Sequence, residues 1–239
     1  MLSKSQIKLV RSLEMKKNRQ RESLFVAEGP KVVGDLLRAG YVVRQMFSTT
    51  GGDNAQTVTE DELRRLSFLR HPQEVLAVFE IPGPAGSAEY VSGLCLALDG
   101  VQDPGNVGTI IRIADWFGID AIYCSHETAD VYNPKVVQAT MGSLAHIPVI
   151  YGDLTRLLSH AGCPVYGTLL DGEDIYSQRL SREGIIVMGN EGNGISEGVR
   201  RLITNRLLIP NFNSAGETAE SLNVAIATAV TCSEFRRRG

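Results

Sequence analysis

GIIVMGNEGNGIS (184–196) runs from an apolar segment straight into a loop of three glycines, two asparagines and one glutamate. The apolar run suits a strand covered on both faces, as in the parallel sheets of α/β proteins. A glycine-rich loop at the end of such a strand is where these folds hold a ligand. The loop is not a P-loop, because no Gly-Lys-Ser/Thr follows. Nor is it the dinucleotide fingerprint: its glycines run G-x-x-G-x-G, and the residue ~20 positions on is Ile209 rather than an acid. A turn leading to a helix capped at Ser196 accounts for Gly194 and Ser196 but leaves Glu191 without a role.

The flanking sequence extends the pattern. Segments 94–100, 120–125, 146–151, 165–170 and 206–210 join 184–189 as candidate strands, and helical spacing recurs at 107–117, 134–144, 153–160, 196–203 and 221–236. Strands alternating with helices predict a parallel sheet with helices on both faces. Upstream, a helix is read over 3–14, strands at 24–28, 41–48 and 74–82, and helices at 30–40 and 59–67. IPGPAGSAEYVSG (81–93), rich in turn formers, reads as a linker. The expected organisation is a smaller α/β domain over 1–82, a linker over 83–93 and a parallel-sheet domain over 94–239.

The chain has 239 residues, 43% hydrophobic and 21% charged, which is ordinary for a globular protein. No apolar run reaches the roughly 18 residues of a membrane span, and the opening MLSKSQIKLVRSLEMKKNRQ lacks the apolar core of a signal peptide. A cytoplasmic protein with no membrane partner is expected. Four cysteines and four histidines are scattered without metal-ligand spacing, so no metal is expected. The net charge of −3 hides an asymmetry, since residues 1–31 hold eight Lys/Arg against three Glu. A basic end on an acidic body suggests a local polyanion contact, although a solvated helix face has the same composition.

Three loops follow strands and are rich in glycine, asparagine and serine. In LDGVQDPGNVGTIIRIADWFG (98–118), Asp103-Pro104-Gly105 is turn chemistry and Asn106 suits a helix N-cap. Gly108 weakens the first helical turn, which makes sense where something approaches the backbone closely. Arg112 lies one turn on, away from the apolar stripe, where it could receive a phosphate or simply face solvent. The second loop is 188–196. In the third, LLIPNFNSAGETAESLNVAIATAV (207–230), Ser221-Leu222-Asn223 opens a small-sided helix, and Ser221 could serve as its N-cap. No histidine follows residue 160, so a Ser–His–Asp arrangement has no support here.

Taken as a set, the loops resemble the three motifs of the SpoU (TrmH-like) RNA 2'-O-ribose methyltransferases of the SPOUT superfamily. NVGTIIR carries Asn106, Gly108 and Arg112; MGNEGNGIS carries Glu191; IPN followed by ESLNVAIATAV carries Ser221 and Asn223. The resemblance implies a SPOUT-type C-terminal domain whose chain threads a trefoil knot, S-adenosyl-L-methionine as methyl donor, a ribose 2'-hydroxyl as acceptor, and a homodimer. It assigns Arg112, Asn106, Glu191, Ser221 and Asn223 to catalysis. By position it places the cofactor at Thr168, Leu169, Gly189, Gly192, Ile209 and Leu222. The first domain resembles the substrate-binding domain joined to such enzymes, through SQIKLVRSL, FVAEGPKVV and the strand before the linker, although HPQEV (71–75) departs from the His-Gln-Gly expected there. Lys16, Lys17, Arg19 and Arg21, with Arg112, are then the candidates for contact with RNA. The two-domain layout favours ribosomal over transfer RNA.

Methyl transfer from a sulfonium asks the protein to position the hydroxyl and help remove its proton. Arg112 is the leading catalytic residue by resemblance, but a guanidinium with a pKa above about 12 is a poor base. Holding a phosphate fits it better, with Ser221 or Asn223 orienting the hydroxyl. Glu191 is either a proton acceptor or a brace for the loop or for Arg112. The competing readings are a nucleotide-dependent α/β enzyme, disfavoured by the glycine order, a transfer-RNA methyltransferase, and a non-catalytic RNA-binding protein on the same fold.

Overall fold

The computed structural model describes residues 1–52, 54–83, 92–213 and 219–238; most of the expected linker and part of the 212–219 loop lie outside them. The chain forms two compact units, Met1–Gly83 with Asp130–His146, and Pro84–Ala129 with Ile147–Gly239. Residues 130–146, which follow two strands of the larger unit in sequence, therefore fold with the smaller one.

The first unit contains α1 (Lys4–Ser12), α2 (Lys16–Glu22), β1 (Leu24–Glu28), α3 (Pro30–Arg38), β2 (Val43–Ser48), β3 (Gln56–Thr57), α4 (Glu60–Leu66) and β4 (Val75–Glu80). Its sheet runs β1-β4-β2-β3, antiparallel except for the β2–β3 pair. Capping boxes at Ser3/Gln6 and Thr59/Glu62 start α1 and α4 by satisfying donors that a helix N-terminus leaves free. Val10, Leu13, Val26, Phe47, Leu66 and Val78 fill one face of the sheet. On the other face Phe25 stacks with Phe79 and meets Tyr132 of the 130–146 segment, whose helix α6 (Pro134–Thr140) packs on β1.

The helix expected over 3–14 forms as α1, and a further helix, α2, follows it where none was expected; between them, side chains take over the carbonyls at the end of α1. Asn18 Nδ2 donates to Ser12 O at 2.8 Å, and Arg19 Nη1 donates to Leu13 O and Glu14 O at 2.8 and 2.7 Å. These bonds satisfy groups a helix C-terminus leaves bare. They also correct the reading of Arg19 as an RNA contact. Its side chain is 1% exposed, and its Nε and Nη2 donate to Asp130 Oδ2 at 2.9 and 2.5 Å. Lys16, Lys17 and Arg21 are exposed.

The second unit contains β5 (Leu94–Asp99), α5 (Pro104–Trp116), β6 (Ile122–Cys124), β7 (Val149–Tyr151), α7 (Leu154–Ser159), β8 (Val165–Asp174), β9 (Gly184–Gly189), α8 (Glu197–Arg200), β10 (Asn205–Leu208) and α9 (Val224–Arg238). The strands run β10-β8-β9-β5-β6-β7, and every neighbouring pair is parallel. The continuous apolar runs of β5 and β9 are buried at every position but Gly189, as expected of strands covered on both faces. All six carboxyl ends thus share one edge. β8 extends beyond the expected 165–170: β10 pairs Arg206 with Gly167 and then Leu207 with Glu173, so residues 168–172 leave the ladder. α9 packs along α5 and is tied to its end by Arg236, which donates to Phe117 O at 2.7 Å.

Replacing Arg19 with Ala strands Asp130 and two carbonyls in the interior, and should destabilise the protein by about 3 kcal/mol. Urea denaturation followed by circular dichroism measures this. A loss under about 1 kcal/mol would show that the brace carries little of the fold.

Candidate active site

The ends of four adjacent strands, β10, β8, β9 and β5, carry the three loops singled out from sequence. Asp99 and Gly189 are paired at the tips of β5 and β9. The loop after β9 closes on itself: Asn190 and Gly194 exchange backbone hydrogen bonds of 2.9 and 3.0 Å. Asn190 Oδ1 accepts from the backbone N–H of Gly192 and Asn193, both at 2.9 Å, and its Nδ2 donates to Gly100 O at 2.7 Å. A Cβ on Gly189 would lie 2.4 Å from the carbonyl carbon of Gly194, so this closure requires glycine there. Gly194 has φ +69°, which a glycine adopts without cost. Asp99 Oδ2 accepts from Ser196 N–H at 2.7 Å and fastens the far side of the loop.

Glu191 projects from this loop to the turn after β5. Its Oε2 accepts from Gln102 N–H at 3.2 Å, and its Oε1 accepts from Asp103 N–H at 3.2 Å and Asn106 Nδ2 at 3.0 Å. Asn106 Oδ1 accepts in turn from Asn223 Nδ2 at 2.9 Å, and Asn223 Oδ1 accepts from the N–H of Ala225 and Ile226 at 2.9 and 3.3 Å. One hydrogen-bonded chain therefore joins all three loops. Partial burial pushes the Glu191 pKa upward, but the bonds from Asn106 and the backbone outweigh it and hold the carboxyl below the usual range. Glu191 is an anion whose oxygens are already engaged, which makes it a brace rather than a ready proton acceptor.

Two capping assignments from sequence are corrected. The N-cap of α5 is Asp103, whose Oδ1 accepts from Asn106 N–H at 2.8 Å, with Pro104 in the first turn. With its backbone served by Asp103, Asn106 has its side chain free to bridge. The residue that caps α9 is Asn223, not Ser221, since among the described residues it alone reaches the free N–H groups of the first turn. Gly108 is buried within the folded chain itself.

Arg112 is exposed on α5 and forms no hydrogen bond or ion pair among the described residues; Ser221 is also exposed and unbonded among them. Thr168 and Leu169 fall in the off-ladder part of β8, where Thr168 Oγ1 donates to Val187 O at 3.2 Å. Ile209 is half-buried just past β10, and Leu222 is exposed ahead of α9. Leu170, 73% exposed beside them, adds apolar surface to backbone groups outside the sheet. Apolar side chains over off-ladder backbone at a strand edge can hold a flat, hydrogen-bonding ring. Asp99 and Asn190 were not assigned roles from sequence. An acid ending an apolar strand, and an Asn two residues before Gly192, are the signals that could have found them.

Known proteins similar to the chain cover both of its units. Residues 93–233 match the SpoU rRNA Methylase family, and residues 4–77 match the MRM3-like substrate binding domain. The chain is 31% identical over 240 residues to the 23S rRNA (guanosine(2553)-2'-O)-methyltransferase RlmP of Bacillus subtilis, spanning 95% of this chain and 94% of that one. A Porphyromonas gingivalis structure assigned to the TrmH family of RNA methyltransferases is 44% identical over the full length of both chains, with a TM-score of 0.89. The AdoMet-bound rRNA methyltransferase of Sinorhizobium meliloti is 32% identical, with a TM-score of 0.87 over 99% of this chain and 96% of that one.

Glu191→Gln puts an amide N–H against donors that need acceptors. Hydrogen exchange at Gln102 and Asp103 should quicken on the order of tenfold. In the unaltered protein this protection is present above the ordinary glutamate pKa and is lost as pH falls through the depressed folded-state value. Exchange rates unchanged by the substitution would show that Glu191 does not hold the turn.

Proposed function

The chain belongs to the SpoU rRNA Methylase family, and we propose that it transfers a methyl group from S-adenosyl-L-methionine to a ribose 2'-hydroxyl of ribosomal RNA. The observation that carries this reading is the chain Glu191–Asn106–Asn223, which fixes three strand-end loops around an edge with apolar, off-ladder backbone. The AdoMet carried by the S. meliloti relative and the activity in the B. subtilis relative's name support cofactor and reaction. Ribosomal RNA is preferred over transfer RNA because the likeness to such relatives spans both units.

S-Adenosylmethionine, when bound, supplies an electrophilic methyl on a positively charged sulfur that leaves as a neutral thioether, so the transfer asks for no metal. Thr168, Leu169, Gly189, Gly192, Ile209 and Leu222 are the residues we assign to holding it. The two amide ends of Asn223 are engaged, one with Asn106 and one with the start of α9, so Asn223 acts by positioning. Glu191 and Asn106 position likewise. Arg112 and Ser221 remain for the RNA: Arg112 holds a phosphate beside the reacting ribose, and Ser221 orients the 2'-hydroxyl and passes its proton to water. As the C–O bond forms, the C–S bond breaks.

Four further features belong to the same reading. The chain forms a homodimer through α5 and α9, on which Trp116 is 85% and Ile226 54% exposed. Trp116 lies four residues from Arg112, on the same helix face, so the interface borders the site. The C-terminal segment threads a trefoil knot, a reading supported by β9 lying between β8 and β5 and by the return of α9 to α5. Lys16, Lys17 and Arg21 contact RNA phosphates, and the enzyme works in the cytoplasm; among the described residues no helix is long and apolar enough to cross a membrane.

Radiolabelled S-adenosylmethionine, incubated with unmodified ribosomal and transfer RNA, should label a 2'-O-methylnucleoside in ribosomal RNA. Arg112→Ala should bind cofactor normally and lose about a hundredfold or more of the turnover. Label on a base would overturn the ribose assignment, and undiminished turnover would remove Arg112 from the mechanism. Trp116→Asp should sediment as a monomer; a dimer would place the interface elsewhere.

A further inference from the structure

The chain Glu191–Asn106–Asn223 joins the loops after β5, β9 and β10 but does not reach the excursion of β8, which carries Thr168 and Leu169. That excursion is closed at its base. Arg206 and Leu207 are consecutive on β10, yet they pair with Gly167 and Glu173, so β10 gathers both ends of residues 168–172 into one ladder step. Just beyond, Ile175 N–H donates to Leu208 O at 2.9 Å and continues the closure.

Gly172 and Asp171 fix how this closed loop lies. A Cβ on Gly172 would stand 2.5 Å from the carbonyl carbon of Leu207, 2.7 Å from its oxygen and 2.8 Å from the nitrogen of Leu208. These are backbone atoms, which cannot swing aside as the end of a side chain can. Gly172 does not have a positive φ, so its missing side chain serves space rather than an unusual backbone. It lets the excursion lie flat on the peptide that leads to Ile209. Asp171 Oδ2 accepts from Arg200 on α8 and from Arg206 Nη1 on β10, the latter at 3.2 Å. The bond from Arg200 holds the Asp171 carboxyl below the usual range. Because α8 follows the 188–196 loop, one carboxylate ties the excursion to the elements that bear the two neighbouring walls.

We infer that Asp171 and Gly172 are positioning residues for the methyl donor: they set the spacing between the Thr168–Leu169 backbone and Ile209, the residues assigned to S-adenosylmethionine, without touching it. The inference rests on the cofactor reading above. Both ends of the excursion are held by β10, so a displacement at 172 finds no slack in the chain and passes to Leu169, three residues away. A binding site tolerates little such movement. The two ion pairs of Asp171 are exposed and individually weak. Their part is to fix the direction of a loop whose closest approach Gly172 sets. Glu191 and Asp171 thus divide the work: one braces the three loops, the other the strand end that serves the donor.

Calorimetry with S-adenosylmethionine and the full chain tests this, with urea denaturation run on each variant. Gly172→Ala should weaken binding by about tenfold, the effect of an overpacked contact. Asp171→Ala should weaken it by about threefold, in keeping with exposed pairs, and carries the test should Gly172→Ala fail to fold. Arg200→Ala combined with Arg206→Ala should match Asp171→Ala, and adding Asp171→Ala to that pair should change nothing more. Ile203→Ala opens space against the laddered part of β8, beside Gly167, and should lose stability while keeping affinity. Unaltered affinity in either variant that folds would overturn the inference. So would an equal loss in Ile203→Ala, or full affinity in the double arginine variant, which would put Asp171 in direct contact with the ligand. An unaltered protein that binds no S-adenosylmethionine would overturn the cofactor reading as well.

Discussion

Glu191 is an anion held against three N–H donors, and that contact sets the direction of every bond that follows. A carboxylate only accepts, so Asn106 must turn its amide nitrogen toward it. The Asn106 oxygen then faces Asn223, whose nitrogen must meet it, and the Asn223 oxygen is left for the free N–H groups of α9. Reversing either amide would set donor against donor or acceptor against acceptor. The chain runs from a negative charge to the positive end of a helix, so its polarity also agrees with the helix dipole. An uncharged acceptor at 191 would leave that polarity unspecified.

The sheet makes so small a network effective. Because every neighbouring pair is parallel, all carboxyl ends lie on one edge, and loops distant in sequence start from adjacent strands. The departure of residues 168–172 from the β8–β10 ladder frees backbone on that edge. Elsewhere such a break would leave unmet polar groups; here they face the place where the proposed cofactor would bind. Asp99 and Asn190 pin the 188–196 loop from opposite sides, so its glycines allow close approach without making it loose.

Most of this architecture was legible because apolar continuity and helical spacing report burial, which is what builds a parallel sheet. Strands at 184–189 and 94–100 follow from that signal alone, and the residues at their ends followed from the loop motifs. What could not be read depends on partners distant in sequence. Asp103, Asn106 and Ser221 are all plausible caps by type; only the position of Glu191 and Asn223 shows that Asp103 caps α5 and that the side chain of Asn106 is a bridge. The break in β8 was hidden because Thr168–Leu170 are as strand-like as the residues before them, and the pairing with Leu207 that ends it lies nearly forty residues away. Periodicity could not have placed residues 130–146 with the first unit, since the contact of Tyr132 with Phe25 spans more than a hundred residues.

Charge counting failed in a more instructive way. It took the basic run of α2 as one surface, but burial divides it, turning Arg19 inward to Asp130 and two carbonyls while Lys16, Lys17 and Arg21 face solvent. At 100° per residue, Lys17 and Arg21 share the face opposite Arg19. A helix of seven residues does not persist alone, and α2 has no side-chain cap at its start. Its order must come from what its inward face grips. The buried arginine thus gives the exposed basic residues a fixed direction, and the two kinds of positive charge, identical in composition, do successive parts of one task.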